Sequence, residues 1–420
     1  MKVVISTDLY YPMINGVAVF SRNLAAGLQK RGHEVLVLAP SITGEFSIDT
    51  DKEFGFKIAR LSSRKIFLYP DQINEIPEAK EFLGLKIPHF AYKNGLHVSL
   101  KPYPEIKAVL DMFKPDVIHD QTPGPVALAV FRYAKKNDIP LVSTDHAYPD
   151  NLTQQVHLPR LLKEPIAKVM NRYFISFLKR SQYATMPTEQ AVSDLIPKNR
   201  KHFKVPVEAL SNGIDFSRFS KAKASDAIYE KYGIPKSKPI LLYVGRVDPE
   251  KSLDVLLRGY EGALKKCPEL HLVVVGDGTS KTRLERYAET NGLTHAHFLG
   301  RIVGDDLPEI YRTGTLFGIS SKTETQSIVV MEAMASGLPV VGVRAGALPE
   351  LIKNNKNGYL CKPDDEAAMA RYIAKIATDK KLRNKLAGGS KEIIKKHDIN
   401  YTLSRMEEIY ETVLKNHIKK

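Results

Sequence analysis

Strand-like and helix-like patterns alternate along this chain, and the alternation starts twice. In the first series, β-rich or buried-strand patterns lie at 2–7, 34–39, 116–119, 141–144 and 183–185. Helical patterns of apolar residues lie between them at 17–31, 125–136 and 162–180. Such alternation is typical of a parallel, doubly wound α/β sheet that carries helices on its faces.

The second series repeats the pattern after a polar segment that contains Asn212-Gly213. Its strand patterns lie at 239–244, 270–275, 297–299, 316–319 and 339–343. Its helical patterns lie at 252–266, 307–313 and 326–336. Since 420 residues exceed what one hydrophobic core usually serves, we predict two Rossmann-like domains, 1–212 and 213–400. Lys-rich helical patterns follow from 365 onward, with possible breaks at Gly388-Gly389 and His397-Asp398.

The charge of the chain narrows the classes of partner. A formal net charge of +15 suits nucleic acid, an anionic membrane surface or a phosphorylated ligand. The excess is concentrated at 160–204, which holds ten Lys or Arg against three Asp or Glu. No apolar run approaches the ~20 residues of a membrane span, and the N-terminus reads as a strand rather than a signal peptide. Two distant cysteines predict no disulfide, so we expect a cytoplasmic protein.

Two glutamates, Glu324 and Glu332, stand in an otherwise apolar stretch at 320–343. On one helix they would point about 80° apart, so we expect Glu324 in the turn before the helix, at the sheet edge where open α/β sheets bind ligands. Carboxylates accept hydrogen bonds from pairs of hydroxyls, and a helix N-terminus favours phosphate. The pair therefore suits a nucleotide sugar. In the plainer alternative Glu324 caps the helix and Glu332 is exposed, but the apolar neighbours of Glu332 favour a buried carboxylate.

Other strand ends carry further candidates. Arg246 and Lys251 follow the strand at 239–244, where two cations can neutralise a diphosphate; a solvated charge cluster is the alternative. Gly16 opens the first helix and lets a ligand approach the backbone, although plain turn chemistry also explains it. His146 follows the strand at 141–144 and either hydrogen-bonds a substrate hydroxyl or is satisfied by its own loop. The dinucleotide fingerprint G-x-G-x-x-G is absent, which counts against a nicotinamide enzyme.

In combination these motifs resemble the retaining GT-B glycosyltransferases of family 4. The resemblance covers essentially the whole chain and rests on Asn15-Gly16, His146, Asn212-Gly213-Ile214-Asp215 with Phe219, Gly245-Arg246 with Glu250-Lys251, Val275-Gly276-Asp277-Gly278, and Glu324-x7-Glu332 followed by Ala333-Met334-Ala335-Ser336-Gly337. It implies two Rossmann-like domains facing across a cleft, with the acceptor site in 1–212 and the donor site in 213–400. It also implies a last helix, near 401–420, that crosses back onto the first domain.

The resemblance assigns roles to these residues. Glu332 would bind the ribose hydroxyls of a nucleotide diphosphate sugar, Arg246 and Lys251 its diphosphate, and Glu324 the hydroxyls of the sugar. His146 would contact the donor sugar and orient it. The remaining donor contacts implied are Gly16, Gly245, Gly278, Thr325, Gln326 and Ser327. Transfer with retention by front-face displacement would need no metal or other cofactor, because the two cations stabilise the leaving group.

The chain departs from the family pattern at two places. Asn15-Gly16 stands where Gly-Gly is common, and Thr325-Gln326-Ser327 replaces a Gly-rich stretch. Side chains in place of glycine narrow the donor pocket.

The acceptor is predicted from two further likenesses. Residues 144–152 and 321–326 are similar to family members that glycosylate diacylglycerol or related membrane lipids. The segment 158–180 mixes Lys and Arg with apolar side chains, as interfacial helices do, or is an ordinary amphipathic helix. We therefore expect transfer of a hexose, glucose from a UDP-sugar, to a lipid such as diacylglycerol by a cytoplasmic protein peripheral to the inner face of the membrane.

Three alternatives to this function remain. The same chemistry on a soluble glycan is one, and a phosphorylase or epimerase of the same fold is another that nothing supports. A nucleic-acid-binding protein is disfavoured because no aromatic residues interleave with the basic stretch in a recognised motif.

Overall fold

The structure, a computed structural model, describes residues 1–13, 15–66, 81–82, 85–86, 96–146, 160–196, 203–220 and 223–418. It divides into two compact units. The first contains the described residues up to Asn212 together with those from Asn400 onward, and the second contains Gly213–Ile399.

An eight-stranded sheet forms the centre of the first unit. Its strands are β1 (Lys2–Ser6), β2 (Glu34–Pro40), β3 (Ser47–Thr50), β4 (Lys57–Leu61), β9 (Val117–Asp120), β10 (Leu141–Thr144), β11 (Tyr183–Met186) and β12 (Val207–Ala209). The short pairs β5 (Arg64–Ile66) with β8 (Leu96–Val98) and β6 (Glu81–Phe82) with β7 (Leu85–Lys86) lie outside it. The strand order is β12-β11-β10-β9-β1-β2-β4-β3, and all neighbours are parallel except β3 and β4. The order reverses between β1 and β9, which makes a topological switch point there.

Among the described residues, the helices of the first unit before β12 are α1 (Gly16–Lys30), α2 (Tyr103–Phe113), α3 (Pro125–Asn137), α4 (Arg160–Leu178) and α5 (Glu189–Leu195). Helix α1 shows why they form. The Asn15 side chain accepts a hydrogen bond from the Ala18 N–H and caps the first turn. Phe20, Leu24 and Leu28, at helical spacing, are buried against the sheet.

A six-stranded parallel sheet forms the centre of the second unit. Its strands are β13 (Ile240–Val244), β14 (His271–Val275), β15 (Ala296–Gly300), β16 (Leu316–Ile319), β17 (Val340–Val343) and β18 (Gly358–Cys361). The order β15-β14-β13-β16-β17-β18 is that of a Rossmann sheet and reverses between β13 and β16. Every residue of β13 and β16 is buried, as the near-continuous apolar runs of a sheet covered on both faces require.

The helices of the second unit surround this sheet. They are α6 (Phe216–Phe219), α7 (Asp226–Tyr232), α8 (Leu253–Leu264), α9 (Lys281–Thr290), α10 (Asp306–Thr313), α11 (Ile328–Ala335), α12 (Leu348–Leu351), α13 (Glu366–Thr378) and α14 (Lys380–Ile394), with 3-10 turns at Pro249–Lys251 and Lys395–His397. The predicted doubly wound α/β architecture is therefore confirmed for both units.

The last helix, α15 (Ile399–Ile418), packs on the first unit. Its Leu403 lies so close to Gly27 of α1 that a Cβ on Gly27 would overlap it. Its Glu407 forms an ion pair with Arg31 (2.6 Å), and Glu407 Oε1 lies 2.8 Å from His33 Nε2. Its Tyr410 hydroxyl lies 2.7 Å from Nδ1 of the buried His119 on β9.

Glu324 lies in the turn before α11, as predicted, and does not cap that helix, which begins at Ile328 rather than at Gln326. Gly388-Gly389 does not break a helix but lies inside α14. Glycine is needed at position 389 because a Cβ there would overlap the carbonyl of Lys356. His397-Asp398 does mark a break, between α14 and α15. Within the described residues, no helix is both long enough and apolar enough to cross a bilayer.

Candidate active site

The loops that follow β13 and β16 meet at the switch point of the second sheet. The two strands pair through Leu241 with Leu316 and Leu242 with Phe317. At their carboxyl ends the Lys251 Nζ lies 2.8 Å from Glu324 Oε1, and only 20% and 11% of these side chains are exposed. The Ser320 hydroxyl donates to the Lys251 carbonyl at 3.1 Å and joins the loops a second time. The sequence pattern had placed both residues at this edge, and the structure brings them into contact.

Glu324 is held as a carboxylate. Burial pushes its pKa upward, but Lys251 and the hydroxyls of Ser321 and Ser327 outweigh burial, so that the pKa lies below its ordinary value. The backbone of Glu324 is fixed from the loop after β17, whose Ala347 N–H donates to the Glu324 carbonyl at 2.9 Å. Gly346, the residue before Ala347, has a φ of +50, and a Cβ on it would approach the Glu324 carbonyl oxygen to 2.6 Å. Glycine is therefore required at this contact.

Arg246 is engaged by two carboxylates of its own loop. Its Nη1 lies 2.6 Å from Asp248 Oδ2, and its Nη2 is paired with Glu250. Asp248 is fixed in turn, because its Oδ1 accepts from the Thr279 N–H at 2.9 Å. Arg246 and Lys251 thus lie on one loop, as predicted, but each already has a carboxylate partner of this chain.

The glycines after β13 and β14 allow the two loops to pack on each other. Gly245, Gly276 and Gly278 have φ of +150, +142 and +159, which favour glycine. The Val247 N–H donates to the Asp277 carbonyl at 2.8 Å. A Cβ on Gly276 would overlap the Gly245 carbonyl, and one on Gly278 would lie 2.5 Å from the Val247 carbonyl. The structure gives these residues a packing reason, and contact of Gly245 and Gly278 with a donor stays a prediction.

Glu332 lies on α11 and is partly buried, as its apolar neighbours predicted. The Tyr311 hydroxyl donates to Glu332 Oε2 at 2.7 Å. The Tyr311 ring is fully buried, with its centroid 5.6 Å from that of Phe219 and 6.0 Å from that of Phe317. Burial raises the pKa of Glu332 to about 7, against the opposing effects of the Tyr311 hydrogen bond and the charge of Arg218. This carboxylate therefore titrates in the neutral range.

The turn between the two glutamates contains the other predicted donor contacts, Thr325, Gln326 and Ser327. Gln326 and Ser327 are each 3% exposed. Both side chains are therefore packed inside the second unit, and the narrowing of a donor pocket by them stays a prediction.

Two of the predicted residues lie in the first unit. Gly16 is the exposed first residue of α1, behind its Asn15 cap. His146 follows β10 and is buried, with its ring centroid 5.0 Å from that of Phe20 on α1. Burial lowers the pKa of His146 to about 3, so the imidazole is neutral at physiological pH.

Gln121, at the end of β9, is a residue that the sequence reading missed. Its Oε1 lies 3.0 Å from His146 Nε2. Because an amide oxygen only accepts, Nε2 carries the imidazole proton and Nδ1 is the acceptor. The Nδ1 atom of His146 and the Nε2 atom of Gln121 are buried and have no hydrogen-bond partner among the described residues. The position at a strand end was the available signal for Gln121.

A second feature that was not assigned a role is a pair of carboxyls beside the switch point of the first sheet, the half-buried Asp8 and the buried Asp120. Asp8, after β1, accepts from the Val126 N–H at 3.1 Å and from the Thr122 hydroxyl at 3.2 Å. Burial raises its pKa to about 7. Asp120, at the end of β9, accepts from the Ser6 hydroxyl at 2.8 Å, and burial raises its pKa well above the ordinary value. Asp8 satisfies the first turn of α3 and so has a structural reason.

The predicted membrane segment is described in part. Helix α4 buries Phe174, Phe177 and Leu178 in the core of the first unit. Its other face exposes Lys168, Val169 (64%), Arg172 and Tyr173 (37%). The helix is therefore packed on one face and exposes basic and apolar side chains on the other, and its contact with a membrane stays a prediction. Residues 147–152, which carried part of the lipid likeness, and the side chains of Arg160 and Lys163 lie outside the described residues.

Two family models match the chain and together cover most of it. The model described as "Glycosyltransferase Family 4" matches residues 14–218. The model described as "Glycosyl transferases group 1" matches residues 224–392. The two matches coincide closely with the two units.

Individual proteins resemble the chain over most of its length. It is 31% identical to the sulfoquinovosyl transferase SQD2 of Arabidopsis thaliana over 313 residues, which are 73% of this chain and 58% of that protein, so it spans less than two thirds of that relative. It is 27% identical to the alpha-monoglucosyldiacylglycerol synthase of Streptococcus pneumoniae, over 90% of this chain and 79% of that one. The crystal structure of Anabaena HepE in complex with UDP and glucose superimposes with a TM-score of 0.71, covers 98% of this chain and 100% of that one, and is 16% identical, which shows a common fold.

Proposed function

This chain belongs to the GT-B glycosyltransferases of family 4, and from that membership we propose that it transfers a hexose, glucose from UDP-glucose, to a membrane lipid such as diacylglycerol with retention of configuration. The single observation that carries the donor side is the Lys251 and Glu324 pair at the switch point of the second sheet. The lipid side rests on the exposed face of α4 and on the relative that is a monoglucosyldiacylglycerol synthase.

In this proposal the second unit binds the donor through three kinds of group. Glu332 accepts hydrogen bonds from the ribose hydroxyls, and Glu324 accepts them from the hexose. Lys251 and Arg246 bind the diphosphate, Arg246 with a planar fork of donors and Lys251 with a compact charge. Gly245, Gly278 and the turn from Thr325 to Ser327 line the donor, and the roles of Gly16 and His146 stay those that the family resemblance implies.

The reaction that we propose is a front-face displacement. The bond between the anomeric carbon and the diphosphate oxygen breaks, and the acceptor oxygen bonds to the same face of that carbon. The acceptor proton passes to the departing diphosphate, so that UDP and the glycolipid are the products. The two cations stabilise the negative charge that develops on the diphosphate, which is why we expect turnover without a metal ion.

Nucleotide release from a panel of donors tests the proposal. Purified protein is given UDP-glucose, UDP-galactose and GDP-mannose, with and without anionic liposomes containing diacylglycerol, in EDTA. We expect UDP release from UDP-glucose that requires the lipid, and a loss of at least about a hundredfold in Glu324→Gln and Lys251→Met, since transition-state contacts of this kind contribute several kcal/mol. Glu261→Gln, on the outer helix α8, is the matched control.

The membrane proposal has a test of its own. Lys168→Glu with Arg172→Glu reverses two charges on the exposed face of α4, and we expect the variant to lose cosedimentation with anionic liposomes. Wild-type binding is expected to fall as salt is raised. Lys380→Glu with Lys381→Glu, exposed on α14, is the control for net charge. Unchanged binding in the α4 variant, or turnover of a soluble glycan without lipid, would replace the lipid acceptor with a soluble one.

A further inference from the structure

The diphosphate subsite of the second unit is occupied by charges of the chain itself. Two cations, Arg246 and Lys251, lie among three carboxylates, Asp248, Glu250 and Glu324. The cluster therefore carries a net charge of −1 when all five groups are ionised. These side chains are between 8% and 24% exposed, so water screens their charges only in part.

A diphosphate brings more negative charge into this cluster. Its binding is opposed unless a carboxylate gives up its cation, because both Arg246 and Lys251 are already paired. The three carboxylates differ in how firmly they are held. Glu324 belongs to the sugar subsite of the proposed donor and stays beside Lys251.

Asp248 is fixed from a second loop. Its Oδ1 accepts from both the N–H (2.9 Å) and the hydroxyl (3.1 Å) of Thr279, after β14. A Cβ on Gly278 would lie 2.7 Å from the same oxygen, so the carboxylate is packed tightly against the backbone. Asp248 cannot withdraw from Arg246 without breaking these contacts.

Glu250 has none of these restraints. It lies in the 3-10 turn Pro249–Lys251, and its side chain is twice as exposed as that of Asp248 (16% against 8%). Its Oε1 pairs with Nη2 of Arg246. Nη2 belongs to the planar fork of N–H donors of the guanidinium, and this fork binds phosphate oxygens as well as it binds a carboxylate.

We propose that Glu250 is an internal competitor of the diphosphate: it holds one edge of Arg246 in the empty site and gives that edge up when the nucleotide binds. The inference rests on the proposed function, since it concerns the same subsite. Asp248 keeps the other edge of Arg246 and so keeps the fork oriented. Glu250 thereby sets the affinity for the nucleotide and favours the departure of the product.

Nucleotide affinity has a predicted sign that distinguishes this role from a merely structural one. Glu250→Gln keeps the shape of the side chain and removes the competing charge. We expect UDP to bind roughly threefold to tenfold more tightly, the effect of one charge a few ångströms away at intermediate dielectric. Uridine, which lacks the diphosphate, is expected to bind unchanged. Turnover is expected to fall and product inhibition by UDP to rise, because release slows.

Titration calorimetry with UDP, GDP and uridine makes the measurement, on the full-length chain. Glu269→Gln is the matched control, because Glu269 pairs with Lys238 beside the amino ends of β13 and β14, away from the proposed donor site. Arg246→Gln is expected to weaken UDP binding, and adding Glu250→Gln to it is expected to give no further gain. Glu250→Ala is a second variant, expected to shift the affinity in the same direction.

The possible outcomes separate the inference from its premise. If UDP binds the wild type but no more tightly to either Glu250 variant, the inference is wrong while the proposed function stands. A gain that persists in the absence of Arg246 also overturns it. If neither UDP nor GDP binds the wild type, the proposed donor and the competitor role fail together.

Discussion

Glu332 is a buried carboxyl whose ionisation opposes stability, a cost that the ribose contact proposed above would offset. Its burial favours the protonated form, and its pKa of about 7 lies above the ordinary value of 4.5. A carboxyl whose pKa is raised on folding contributes stability below its unfolded pKa and loses it as the pH rises through the folded pKa. A ribose diol that donates to the carboxylate reverses this preference, because it stabilises the charged form.

We therefore predict that Glu332→Gln stabilises the empty second unit above pH 7 and weakens UDP binding. The gain in unfolding free energy at pH 8 has an upper bound of about 3 kcal/mol and shrinks toward pH 5. Urea unfolding at both pH values measures it, with Glu289→Gln, exposed on α9, as the control. UDP affinity of the wild type is expected to rise between pH 6 and pH 8 more steeply than that of the variant. Parallel pH curves for the two proteins would contradict the assignment of the titration to Glu332.

Gln121 gives a second prediction for a single residue, this time in the first unit. Gln121→Leu keeps the bulk but removes the hydrogen bond to His146 Nε2. The imidazole then loses the contact that orients it and selects its tautomer, and we expect the turnover number to fall about tenfold, as for loss of a positioning contact. The affinity for UDP is expected to be unchanged, because the charged side chains proposed to hold the nucleotide lie in the second unit.

The conservative variant separates positioning from packing. Gln121→Glu still accepts from His146 but introduces a charge, which raises the pKa of the imidazole. We expect the turnover number to acquire a pH dependence in addition to any that the wild type shows, and the ¹⁵N shifts of His146 to report protonation at the same pH. Equal pH profiles in the two proteins would assign Gln121 a packing role.

Strand-end positions led from the sequence to Arg246, Lys251 and Glu324, because parallel strands end at a common edge and spacing alone reveals it. Spacing contains no information on which cation pairs with which carboxylate, so the competition at Arg246 emerged only with the side chains in place. Gln121 carries no charge and interrupts no periodic pattern, which is why the sequence reading passed over it.

The last helix, α15, is held to the sheet of the first unit by a buried hydrogen bond between Tyr410 and His119. Tyr410 and His119 are both fully buried, and Nε2 of His119 continues the chain of hydrogen bonds to the Thr144 hydroxyl at 2.7 Å. Burial lowers the pKa of His119 to about 3, so the ring stays neutral. Tyr410→Phe leaves Nδ1 of this ring buried without its partner.

We expect Tyr410→Phe to destabilise the first unit by about 1–3 kcal/mol, the cost of an unsatisfied buried polar group. Urea unfolding followed by the fluorescence of a label on α3 isolates that unit. Tyr401→Phe is the control on the same helix, because Tyr401 is 58% exposed. An equal effect of both substitutions would mean that the hydroxyl of Tyr410 is not what anchors the helix.

The two glycines within α14 led to a wrong prediction of a possible helix break. Gly388-Gly389 was interpreted as a break because glycine lowers helix propensity. In the structure a Cβ on Gly388 would meet nothing, whereas one on Gly389 would overlap the Lys356 carbonyl. A close approach between a helix and a distant loop leaves no trace in the local pattern.

At the scale of the whole molecule, the repeated alternation of strands and helices was sufficient to predict two doubly wound units. Long buried strands such as β13 and helices with a clear apolar stripe such as α1 were found within one or two residues. The strands β12 and β18, of three and four residues, were not recognised. Length alone does not explain this, because the four-residue strands β9 and β16 were predicted. The place of β12 and β18 in the sheet is decided by pairing with β11 and β17.

The two units differ in continuity, and this leads to the last prediction. Among the described residues the second unit is one stretch, Gly213–Ile399, with its own sheet and its own core, whereas the first includes α15 from the other end of the chain. Contiguous stretches that bury a core of their own fold independently.

We expect a fragment of residues 213–399 to fold cooperatively and to bind UDP within about tenfold of the full chain, because the cations and carboxylates proposed to hold the nucleotide all lie within it. It is expected to transfer nothing, since His146 and Gln121 are missing. Circular dichroism and calorimetry on the fragment make the test; a folded fragment without affinity for UDP would show that residues of the first unit are needed for the nucleotide itself and not only for the sugar.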